Sequence, residues 1–128
     1  MAGFSKIVRF STGGAPTASN GVLINTIDIR DLDRFVVYFK NSASNVNFAD
    51  LKIETAADPT TANTASFEGQ NWVQIPTATL PQPSALAQMT TVVTGPINNA
   101  YSFIRVVGRT DISSTQSVLE LQITGFKR

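Results

Sequence analysis

Residues 35–39, Phe-Val-Val-Tyr-Phe, set the narrowest limits on what this chain can become. The run stands between Asp33-Arg34 and Lys40-Asn41. It is too short for a helix and rich in β-branched and aromatic side chains. That combination predicts a strand buried on both faces, which belongs at the centre of a sheet.

The other apolar segments have the same character. Leu51 to Thr55 alternates Leu51, Ile53 and Thr55 against Lys52 and Glu54, which predicts a half-exposed strand with the two charged residues outward. Val22 to Ile29, Asn71 to Ile75, Thr90 to Thr94, Tyr101 to Gly108 and Val118 to Gly125 also read as strands. Phe4 to Phe10 alternates less regularly, as a peripheral strand does. Turn chemistry separates them: Asn20-Gly21, a charged hairpin turn at Arg30 to Asp33, Gly95-Pro96 and Asn98-Asn99. Ser84 to Gln88, just after Pro83, has room for one helical turn at most. The fold class that follows is all-β, a two-sheet antiparallel β-sandwich or jelly roll of about eight strands. It forms one domain, in which 1–21 supplies an N-terminal strand and a flexible arm or loop, and 22–128 is the sandwich core.

The length of 128 residues and an apolar share of 42% suffice for one buried core. Charged residues make up only 15%, against roughly 25% in ordinary soluble domains. The net charge of +1 offers no electrostatic basis for holding nucleic acid. No apolar run is long enough to span a membrane as a helix, and the start, Met-Ala-Gly-Phe-Ser-Lys, lacks the apolar core of a secretory signal, so synthesis in the cytoplasm is expected. With neither His nor Cys, the chain lacks the commonest general base and metal ligand, and all thiolate chemistry.

The remaining candidates for chemistry each have a plainer reading. Asp28, Asp31 and Asp33 suggest Ca²⁺, but Arg30 and Arg34 interleave and no Gly turn lies among them, so local ion pairs fit better. A glycosidase pair would have to come from Asp50, Glu54, Glu68 and Glu120, and no spacing makes neighbours of any two. Trp72 and Tyr101 are either a sugar-stacking platform or, for Trp72, the buried plug of a sandwich. Arg105 falls on the face opposite Ile104 and Val106, where it would snorkel at a sheet edge or pair across a subunit contact. No catalytic residue, metal ligand or cofactor is expected.

Four segments in order carry a resemblance: Phe35-Val36-Val37-Tyr38-Phe39-Lys40-Asn41-Ser42, Leu51-Lys52-Ile53-Glu54-Thr55-Ala56-Ala57-Asp58, Asn71-Trp72-Val73, and Tyr101-Ser102-Phe103-Ile104-Arg105-Val106-Val107-Gly108. Over Arg34 to Gly125 the chain resembles the β-sandwich proteins of tailed-bacteriophage virions, in particular head decoration (cement) proteins, and also discoidin-like and cell-adhesion sandwiches. The phage resemblance implies a jelly roll on the capsid surface of the virion, associated as a homotrimer. Such a protein clamps neighbouring subunits of the major capsid protein against internal pressure, with an arm such as Met1 to Gly21 reaching across. It binds neither nucleic acid nor membrane. Phe4, Arg9 and Phe10 on that arm, with Trp72, Tyr101 and Arg105, are the expected partner-contact residues. The alternative is a carbohydrate- or receptor-binding module of a tail fibre.

Overall fold

The computed structural model describes residues 5–11, 19–56, 72–76, 83–98, 102–111 and 119–127. They form nine strands: β1 (Ser5–Ser11), β2 (Gly21–Asp28), β3 (Leu32–Asn41), β4 (Phe48–Ala56), β5 (Val73–Gln74), β6 (Ala85–Leu86), β7 (Thr90–Asn98), β8 (Phe103–Thr110) and β9 (Leu119–Lys127). Two antiparallel sheets result. The front sheet has the order β1-β9-β3-β7, and the back sheet the order β2-β8-β4-β5, with β6 also pairing β4. The protein is therefore the all-β, two-sheet sandwich that the spacing of its apolar runs predicts.

Burial of alternating side chains drives the two sheets together. Phe35, Val37 and Phe39 of β3 and Leu119, Leu121 and Ile123 of β9 point inward, against Ile53 of β4 and Ile104 and Val106 of β8. Fully burying each such side chain contributes about 1.5–3 kcal/mol. Gly125 fits this packing because a Cβ there would collide with the Arg34 carbonyl oxygen and come within 2.8 Å of the Phe35 Cβ. Asn41, fully buried at the end of β3, ties the layers. Its amide nitrogen donates to the carbonyls of Val46 at 3.0 Å, Leu86 at 3.3 Å and Ala87 at 3.2 Å, and its oxygen accepts from the Ala43 N–H at 3.0 Å.

Several sequence expectations are corrected. The central strand β3 is buried on one face only, since Tyr38 and Lys40 on the other face are exposed. The strand buried on both faces is β8, from Phe103 through Gly108. Arg30 to Asp33 makes a corner and not a hairpin: β2 pairs with β8 in the back sheet, while β3 pairs with β7 and β9 in the front. Within Ser84 to Gln88, Ala85–Leu86 is a short strand on β4, not a helical turn. β7 does not stop at Gly95-Pro96 but runs on to Asn98 through a register shift.

Candidate interaction face

A two-layer sandwich has two outer faces, and here they differ. On the back sheet, the pairing of β4 with β8 sets Glu54 opposite Arg105 and Ala56 opposite Phe103. Both members of the first pair are wholly buried, with Arg105 Nη2 2.7 Å and Nε 2.8 Å from Glu54 Oε1. The Trp72 ring covers the guanidinium, whose carbon lies 4.5 Å from the ring centroid. Trp72, Phe103 and Ala56 form a small apolar cluster of their own. At its margin Arg30 sits 4.8 Å over the Phe103 ring while pairing with Asp28 at 2.7 Å. The hydrogen bond to Asp28, and then its charge, raise the Arg30 pKa above its ordinary value. Trp72 thus covers the middle of this face, while Val73 of the edge strand β5 in the same sheet is 61% exposed.

Among the described residues, none covers the outer face of the front sheet as Trp72 covers the back. Register sets Arg34, Val36, Tyr38 and Lys40 of β3 beside Phe126, Thr124, Gln122 and Glu120 of β9 in that order. β7 adds Val93 beside Tyr38 and Thr91 beside Lys40. Tyr38 is 37% exposed, Val93 53% and Phe126 38%. Two shallow grooves cross the face. One of about 300 Å³ is lined by Tyr38, Lys40, Thr91, Glu120 and Gln122. The other, of about 280 Å³, is lined by Arg34, Val36, Pro96, Thr124 and Phe126. Lys40 and Glu120 lie 4.0 Å apart and both are exposed, a pair that contributes only about 0–1 kcal/mol. The face thus sets the exposed Tyr38, Val93 and Phe126 among three charged residues, Arg34, Lys40 and Glu120, with Arg and aromatic residues of the kinds enriched at protein contacts.

The residues nominated from sequence do not gather on this face. Trp72 and Arg105 are buried under the back sheet's cover, so neither is a surface contact residue or a sugar platform. Arg105 reaches no edge, because Glu54 neutralises it inside. Glu54, expected outward, is buried for the same reason. Phe4 and Tyr101 lie outside the described residues. Only the strand path of Arg9 and Phe10 is described: on β1, Arg9 stands opposite Gln122 and Phe10 opposite Leu121. The sequence did not single out this face, because Phe35 to Phe39 reads there as buried on both sides.

The described acids considered for a glycosidase pair are each engaged with a cation. Glu54 holds Arg105, Asp50 holds Arg109 at 2.7 Å, and Glu120 faces Lys40. Glu68 lies outside the described residues. Among the described residues no three acidic side chains gather as metal ligands. The fold and this face together define a β-sandwich with one open side. Comparison with protein-family models, curated proteins and solved structures gave no match to the chain.

Proposed function

We propose that this is a structural protein of a phage virion, a capsid decoration protein that adheres to neighbouring major capsid subunits through the outer face of its front sheet. The observation that carries the reading is the asymmetry of the sandwich. The back sheet lays Trp72 over the Arg105–Glu54 pair on its outer face, while the front sheet leaves Tyr38, Val93 and Phe126 partly exposed on a central strand and its neighbours. Binding there acts by non-covalent clamping, driven by burial of apolar surface at about 25 cal/mol per Å². The virion setting is supported by the resemblance of Arg34 to Gly125 to head decoration proteins. Phage heads stripped of their decoration layer are expected to take up the purified protein on co-sedimentation, and to take up much less of a Tyr38→Ser, Phe126→Ser variant. Equal uptake of the variant, or none of either, removes the reading.

One observation favours a second reading, a glycan- or receptor-binding module of a tail fibre. The groove at Tyr38 sets an exposed aromatic ring among Lys40, Thr91, Glu120 and Gln122, the mixture that stacks and hydrogen-bonds a sugar. Saturable glycan binding abolished by Tyr38→Ser, without head binding, supports this reading over the first.

A further inference from the structure

The two grooves of the front face differ in how their charge is balanced. In the groove at Tyr38, Lys40 lies 4.0 Å from Glu120, so cation and anion answer each other. Among the described residues, the groove at Phe126 is lined by Arg34 and by no acidic side chain. Arg30, Arg105 and Arg109 pair with Asp28, Glu54 and Asp50. Arg34 pairs with none of the described carboxylates, its exposed sequence neighbour Asp33 included. It is exposed itself, and register sets it between Phe126 of β9 and Asn98 of β7. The groove beside it measures about 280 Å³, and its other walls are mainly apolar, from Phe35, Val36, Pro96 and Phe126.

We propose, resting on the reading of the front face as the capsid contact surface, that this groove takes an acidic side chain of the capsid partner together with an apolar residue next to it in that partner's chain. Charge complementarity selects the occupant. A guanidinium presents a planar fork of N–H donors that one carboxylate accepts in parallel, and it has no acceptor of its own. An apolar residue alone would fill the groove but strip water from Arg34 without supplying an anion, which costs free energy. A purely charged segment would leave Val36, Pro96 and Phe126 unburied. A carboxylate beside an apolar side chain satisfies both halves of the site. An arginine set against apolar groups that exclude water is of the kind that dominates binding at protein contacts.

Co-sedimentation of the full chain with stripped phage heads over a range of salt concentrations tests this. At low salt Arg34→Gln is expected to bind about tenfold or more weakly than the wild type. It is also expected to lose part of the wild type's salt dependence. Arg34→Glu, which sets like charges together, is expected to bind more weakly still. Both variants change an exposed residue and are expected to keep the far-ultraviolet circular dichroism spectrum. Should either lose its fold, phenylglyoxal labelling of the wild type decides: Arg34 is expected to react in the free protein and to be protected on heads. No head binding by the wild type removes the proposed function and this assignment with it. Wild-type binding that Arg34→Glu matches in affinity and salt dependence, or an Arg34 that stays reactive on heads, overturns this assignment alone. Retention on immobilised heparin that Arg34→Gln abolishes, without head binding, overturns it in favour of an anionic glycan.

Discussion

The two outer faces of this sandwich start from similar strands and end in opposite states. On the back sheet, an arginine and a glutamate placed opposite each other by strand register are fully buried, with a tryptophan ring over the guanidinium. On the front sheet, a lysine and a glutamate in the equivalent cross-strand relation remain in water, beside an exposed tyrosine. What differs, among the described residues, is the presence of a cover. The contrast teaches that an ion pair of one pattern serves as internal architecture on one side and as surface on the other. Which it becomes depends on a residue distant in sequence.

The comparison breaks most visibly if the buried pair is split. Glu54→Ala strands the Arg105 charge in a dry site and is expected to cost about 3–5 kcal/mol, read as a lowered urea midpoint. Replacing both members, Glu54→Leu with Arg105→Met, is expected to recover most of that loss, since an apolar pair of similar volume needs no desolvation. A double variant as unstable as the single would mean that the pair does more than neutralise itself.

A smaller loss is expected at the latch between the layers. Asn41→Ala leaves the carbonyls of Val46, Leu86 and Ala87 without their donor and is expected to cost about 1–3 kcal/mol in the same denaturation experiment. The smallest effect belongs to the open face. Tyr38→Ser and Phe126→Ser truncate partly exposed strand side chains and are each expected to cost about 1 kcal/mol or less. Their effect is expected in binding, and a large loss of stability would show that the face is core and not contact surface.

Much of the fold was legible because period-two alternation and turn residues are local properties of the chain. Leu51 and Ile53 predicted the inner side of β4, and Leu119, Leu121 and Ile123 that of β9. The faces were less legible. Glu54 reads as solvent-facing by alternation, and its pairing with Arg105 joins strands 51 residues apart. Local pattern gives the side of a sheet on which a residue lies, but not whether anything covers that side. The same limit explains the reversed reading of β3 and β8. Consecutive apolar residues at Phe35 to Phe39 suggested two buried faces, yet Tyr38 faces water, while Phe103 to Gly108, with an arginine in the middle, is buried throughout. The six nominated contact residues rested on residue type and on the resemblance. Residue type pointed to Trp72 as the buried plug, as found, but it equally placed Tyr38 in the core.

Hydroxyl-radical footprinting of the protein, free and bound to stripped phage heads, tests most directly whether the front sheet is the working surface. Oxidation of Tyr38 and Phe126 is expected to fall on binding, with Trp72 unreactive in both states. Unchanged oxidation of Tyr38 and Phe126 in the bound protein would contradict it, as would a Trp72 that reacts when free and becomes protected on the head.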